Sequence, residues 1–290
     1  MKLKKLIKRG QHKINSWYLP KFQSNLPLWC FPKYSLRFKC YCVGAGRTGT
    51  TSIHKIFSQQ YRSAHEPERP LLIHQILRFA HGKIDKNKFI QYIKQRDRRL
   101  GLEMDSSHLN YHLLDILLSE FNEAKFILTI RDCYSWLNSL LNYQYAAYSW
   151  LRAQNNLINK PWLKIDQLDF RASELKHKPE EKFLAEKGLY TLEGYLSYWQ
   201  KHNMKVLTTV PPERLLIVKT AEINTSIPRI EEFLGISVGT LPSKNIHENA
   251  KSKNFNFLAE IDSDFLEEQV HIHCQELMAK YFPEITSCNV

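Results

Sequence analysis

Short apolar runs alternate along the chain with stretches of helical periodicity. LRFKCYCVG, Leu36 to Gly44, reads as a buried strand ending in glycine, and TTSIHKIFSQQ continues it as a helix with Ile53, Ile56 and Phe57 on one face. Helices are predicted next over Leu71–Phe79 and Asp85–Arg99. SHLNYHLLDILLSEF then carries Leu109, Leu113, Leu114, Leu117, Leu118 and Phe121 at the 3.6 spacing of a packed helix. AKFILTIRD is a second apolar strand, a helical region runs from Tyr134 to about Asn156, and ERLLIVKT is a third strand. TLEGYLSYWQKHNMKVLTTV precedes that third strand as a helix; SIPRIEEFLGI and IDSDFLEEQVHIHCQELMAKYF follow it as two more. Continuous apolar strands separated by helices predict an α/β domain, a three-layer parallel sheet flanked by helices on both faces.

Two regions stand outside this alternation. Residues 1–34 contain Pro20, Pro27 and Pro32 and begin MKLKKLIKRG, which predicts a basic arm ahead of a single domain over 35–290. The charged segment from Asn159 to Lys187, with two prolines, reads as an insertion or lid, about 157–188, within that domain.

Composition sharpens the expectation about ligands. The chain has 290 residues, 43% hydrophobic, enough for a real core, and 41 Lys and Arg against 29 Asp and Glu leave a formal charge of +12. That balance fits an anionic ligand, an acidic polymer or a membrane surface as partner as well as it fits a solvated surface, and the basic arm either touches anionic lipid or, as the expected role, packs on the domain. The six cysteines form no CxxC pair and lack the density of a secreted disulfide scaffold, there is no long apolar run, and the basic start has no signal-peptide core. A cytoplasmic protein with reduced thiols is the expectation. No basic strand interleaved with aromatics suggests a nucleic-acid platform, so no nucleic-acid partner is expected.

The chemistry concentrates where the first strand meets its helix. Gly44 and Gly49 keep the spacing of the GxxxxGK[ST] phosphate loop and Thr51 keeps its hydroxyl, but Thr50 replaces the lysine. Gly44, Gly46 and Gly49 let backbone amides face an anion at a helix N-terminus, Thr48, Thr50, Thr51 and Ser52 add hydroxyls, and Arg47 supplies the missing cation. Arg131, at the end of FILTIR, belongs at the carboxyl edge of the same sheet, where ligands of open α/β sheets bind. The aspartate following that strand, Asp132, comes after an arginine, which demotes a magnesium-dependent kinase or NTPase. That alternative stays open, as does a non-enzymatic module binding nucleotides or polyanions.

RTGTTS and the Arg131 to Ser139 spacing together resemble the sulfotransferases that use 3′-phosphoadenosine 5′-phosphosulfate (PAPS), closer to the glycan and bacterial type than to the histidine-dependent cytosolic type. In that family a [KR]-x-G-T-[TS] loop binds the 5′-phosphosulfate, and a strand-end arginine with a serine eight residues later binds the 3′-phosphate. RLLIVKTAEI, IEEFLGI and HENAKSKNF resemble later family segments, the last implying phosphate contacts from Lys251 and Lys253, so the likeness spans Leu36 to Phe282. The resemblance implies PAPS as donor, 3′-phosphoadenosine 5′-phosphate (PAP) as product, no required metal, and a carbohydrate, lipid or small-molecule acceptor. It also implies a base: Glu66 in SAHEPERP leads and Glu103 in GLEMDSSHLNY is the rival, while His108 matches the cytosolic enzymes by residue type alone. His65 is a candidate substrate contact, and Trp136, Tyr143, Tyr145, Tyr148 and Trp150 lie along the helix beside the crevice, where core packing is the expected role for most.

Overall fold

In the computed structural model the described residues are 19–23, 26–153, 161–242 and 255–288. Most of the basic arm, and the last residues of the helix expected to reach Asn156, lie outside them.

Cys40–Cys42 (β1) is buried along its whole length and is paired on both edges. Met104–Ser106 (β3) lies on one side, with Cys40 opposite Met104, and Lys125–Ile130 (β4) on the other, with Cys40 opposite Lys125. Ser63–His65 (β2) pairs outside β3 and Leu215–Lys219 (β5) outside β4, giving the order β2-β3-β1-β4-β5 with every pair parallel. All five carboxyl ends therefore open on one edge.

Side-chain alternation divides the core. Tyr41, Val43, Phe126 and Leu128 point to one face, covered by Arg69–Ala80 (α2), Lys86–Leu100 (α3) and Leu114–Glu120 (α4). Cys40, Cys42, Met104, Ile127 and Val218 point to the other, under Thr50–Phe57 (α1) and Ile227–Leu234 (α9). A third cluster around Trp136, Tyr195 and Trp199 joins Cys133–Ala153 (α5), Leu192–Thr209 (α8) and Ser263–Tyr281 (α10). The three-layer α/β fold is the expected one. Among the described residues no helix is long and apolar enough to cross a membrane.

The differences from the sequence reading are local. β2 and β3 were not foreseen, because SAH and MDS are three residues each with no apolar run. The predicted helix at Ser107–Phe121 begins as a 3-10 turn over His108–Leu113, with the Ser107 side chain accepting from the Leu109 amide, and becomes α-helical only at Leu114. The charged insertion contains Pro161–Asp169 (α6) and Lys182–Glu186 (α7), and it packs inward through Ile165, Phe170 and Leu184. Of the predicted arm, Phe31 is buried and the Tyr34 ring lies under the Arg62 guanidinium at 3.5 Å, while Trp29 is 83% exposed.

Candidate active site

The glycine loop is shaped by close approach. A Cβ on Gly44 would stand 1.9 Å from the Thr129 hydroxyl, and Gly49, at φ 101°, caps α1 in a backbone region that side chains avoid. Arg47 adopts φ 72°, a left-handed conformation uncommon for a non-glycine residue. Neighbouring elements hold it there. Trp136 Nε1 donates to the Gly46 carbonyl at 2.9 Å, His202 Nε2 sits 2.8 Å from the Val43 carbonyl, and Thr220 donates its hydroxyl to the Thr48 carbonyl at 2.7 Å.

The predicted hydroxyls divide by role. Thr48 donates to the Ala45 carbonyl and meets Thr129 Oγ1, both at 2.7 Å, so it braces the loop from behind. Thr50 and Thr51 line the cleft, their hydroxyls 3.2 and 3.3 Å from His65 Nε2. Ser52 is half-buried on α1 and, like Thr48 and Gly49, does not line the cleft. Lys251 and Lys253 lie outside the described residues.

Two guanidinium groups gather at this edge without an ion-paired carboxylate among the described residues. Arg47 Nε donates to Ser139 Oγ at 3.1 Å and its guanidinium lies 5.1 Å from the Tyr143 ring centre. Arg131 Nε donates to Ser135 Oγ at 2.8 Å. Ser139 is therefore taken by Arg47 rather than by Arg131, which ties the loop motif directly to α5. Asp132 does not neutralise Arg131 by an ion pair; its carboxylate caps α5, accepting from the Ser135 amide at 2.8 Å. Burial lowers the pKa of both arginines; on Arg131, Asp132 works against it and Arg47 adds a smaller repulsion in the same direction as burial. Among the described residues neither arginine has an ion-pair partner. Two half-buried, mutually repelling cations at a helix N-terminus make an anion site.

The cleft beside them has a volume of about 590 Å³. Glu66 enters it just past β2, at φ 49°, with Glu68 at φ 54° two residues later. Arginines of α3 hold this turn: Arg99 forks onto the Glu68 carboxylate at 3.0 and 2.5 Å, and Arg96 pairs with Asp105 at 2.8 Å while donating to the Pro67 carbonyl at 3.1 Å. Glu66 Oε1 lies 2.7 Å from His108 Nδ1 and its Oε2 3.1 Å from Arg69. Burial alone would raise the Glu66 carboxyl, but His108, then Arg69 and His65, outweigh it and hold the group at about 2. His108 Nε2 has no partner among the described residues and the ring lines the cleft. Burial, the largest effect, lowers the pKa of His65.

Glu103 is not in this cleft. It precedes β3, at the amino edge of a parallel sheet whose carboxyl edge carries the loop, and its carboxylate accepts from the Arg37 side chain at 2.8 and 3.1 Å and from the Arg62 amide at 2.9 Å. Its buried oxygens are committed to structure, which removes it as the rival base.

The wall facing Glu66 was missed by sequence reasoning. α6 contributes Trp162, Asp166 and Asp169, and Phe170 and Tyr198 complete it. Tyr148 donates to Asp166 Oδ2 at 3.0 Å, and Asp169 Oδ1 is 3.4 Å from His112 Nε2. Burial, with Asp169 adding to it against the Tyr148 bond, lifts the Asp166 carboxyl to about 7. The available signal is the i,i+3 spacing of two aspartates inside the charged segment that reads as an insertion or lid. Of the α5 aromatics, Trp136 and Tyr148 are core residues, whereas Tyr143 is half-exposed in the cleft.

A family model described as "Sulfotransferase domain" matches residues 39–251. Among solved structures, the sulfotransferase from Alicyclobacillus acidocaldarius is 15% identical over 87% of this chain and 94% of its own, with a TM-score of 0.40. Sulfotransferase STF9 from Mycobacterium avium is 12% identical over 93% and 82%, with a TM-score of 0.47. Comparison with curated protein sequences returns no match.

Proposed function

The chain belongs to the sulfotransferase-domain family, and from that membership we propose that its cleft moves a sulfuryl group from PAPS to a hydroxyl or amine of an acceptor molecule. The observation that carries this reading is the pair of half-buried guanidinium groups, Arg47 and Arg131, lacking a carboxylate partner among the described residues and set beside a glycine loop on a helix N-terminus. Those donors fit a nucleotide that bears an anionic group at each end. Arg47, the loop amides and the Thr50 and Thr51 hydroxyls would hold the 5′-phosphosulfate, and Arg131, reaching from the end of β4, the 3′-phosphate.

Bound PAPS supplies the sulfuryl group: the acceptor's oxygen or nitrogen bonds to sulfur as the bond from sulfur to the bridging phosphate oxygen breaks, and PAP leaves. Arg47 stabilises the charge that develops on that bridging oxygen. The acceptor's proton goes to His108 Nε2. Glu66, with both oxygens already engaged by His108 and Arg69, orients the ring through Nδ1 and stabilises the imidazolium that forms. Glu66 thus keeps its place in the site with a positioning role.

Thermal stabilisation tests the donor. PAP raises the melting temperature, ADP with magnesium raises it less, and Arg47→Ala and Arg131→Ala each remove the PAP effect, because a ligand that binds only the folded chain stabilises it by mass action. A shift with magnesium nucleotide and none with PAP overturns the proposal in favour of a phosphotransferase.

A further inference from the structure

The acceptor half of the cleft has the opposite charge to the molecule around it. With Arg47 turned to the donor, the charged side chains lining the remainder are Glu66, Asp166 and Asp169 against Arg69 alone, and Arg69 is bound to Glu66 at 3.1 Å. Among the described residues Asp166 thus faces the cavity with no ion pair, and Asp169 with only the His112 ring, 3.4 Å away. Asp166 uses Oδ2 for the Tyr148 hydroxyl, and its Oδ1 has no partner among the described residues. Around them stand the rings of Trp162, Phe170 and Tyr198.

We infer that the acceptor is an amine-bearing molecule whose ammonium group docks on Asp166 and Asp169 between these aromatic walls, leaving the nucleophilic atom at His108. The inference rests on the sulfuryl-transfer reading above and names its substrate class. An acidic glycan, which the overall charge of +12 would suggest, meets like-charged carboxylates here and, beyond them, an anionic donor. A neutral polyol could bond Asp166 Oδ1 but would leave its charge unbalanced in a half-buried site. An ammonium balances that charge and is also attracted by the ring faces. The lifted pKa of Asp166 has burial as its largest cause, with Asp169 adding to it and the Tyr148 bond, His108 and Arg69 opposing it without cancelling it.

Three phenols of similar size carry charges of opposite sign or none: tyramine, 4-ethylphenol and 4-hydroxyphenylacetate. Each is titrated by calorimetry into the full chain saturated with PAP, and PAP itself is titrated first. Tyramine should bind roughly tenfold or more tighter than 4-ethylphenol, a difference on the scale of one compensated charge, with 4-hydroxyphenylacetate weakest. Asp166→Asn, whose amide oxygen still accepts from Tyr148, and Asp169→Asn should each shrink that preference while PAP affinity holds. Equal affinities, a preference for the neutral or anionic phenol, a preference that survives both substitutions, or no tyramine binding at millimolar concentration overturns the inference. If PAP fails to bind, the donor reading falls instead. The three phenols are then titrated without nucleotide, and the same preference and its loss decide the docking site.

Discussion

His108 and Glu66 share one hydrogen bond but not one role, and substitution separates them. His108→Ala should lower kcat by about 10²–10⁴, the usual contribution of a positioned base, with PAP affinity unchanged. Glu66→Gln keeps the shape and removes the charge beneath the imidazolium, so kcat should fall by less. A near-normal kcat for His108→Ala beside a collapsed one for Glu66→Gln, in single-turnover assays, would return the base to Glu66. The carboxylates of the cleft also predict a pH signature. Asp166 rises from its ordinary 3.8 to about 7 on folding, so the folded chain holds that proton more tightly than the unfolded one. Its ionisation therefore removes stability as pH rises through this window. Asp169 on the same helix deepens the effect, while Tyr148, His108 and Arg69 facing it from other elements moderate it. Denaturant midpoints from acid to neutral pH should show wild type losing ground to Asp166→Asn as pH approaches 7. Glu66, depressed from 4.5 to about 2, acts with the other sign, stabilising above its ordinary range and losing that contribution as pH falls toward 2.

At the scale of elements, β3 decides which carboxylate matters. It is a three-residue strand with Glu103 before its amino end and His108 soon after its carboxyl end, so groups five positions apart in sequence are delivered to opposite edges of the sheet. Glu103→Gln should cost about 1–3 kcal/mol of stability, the scale of a disrupted buried charged hydrogen-bond set, and leave turnover per folded molecule unchanged. Parallel melting and activity curves measure both. The sequence could not make this separation, because MDS and SAH have neither the length nor the alternation that identifies a strand. The glycine loop was legible for the contrary reason. Gly44 and Gly49 sit where no Cβ fits or where φ is positive, so the backbone geometry leaves its mark in residue type. α6 was hidden by its own composition, since its lysine and aspartates read as a wet surface until Ile165 is seen buried beneath them.

For the whole molecule, a charge of +12 says how the chain meets its surroundings and not what enters its cleft. Positive residues are spread over the sequence while Asp166, Asp169 and Glu66 converge from α6 and the turn after β2, a grouping that three-dimensional closure creates and composition averages away. One rod spans both ends of the cleft. α5 carries Ser139 and Tyr143 against Arg47 and Trp136 against the Gly46 carbonyl, and further along it places Tyr148 on Asp166. The proposed donor and acceptor sites thus lean on a common 21-residue helix. Any tilt that helps one is felt by the other. Thermodynamic linkage makes that exchange reciprocal: by whatever factor the nucleotide sharpens the hold on the acceptor, the acceptor sharpens the hold on the nucleotide.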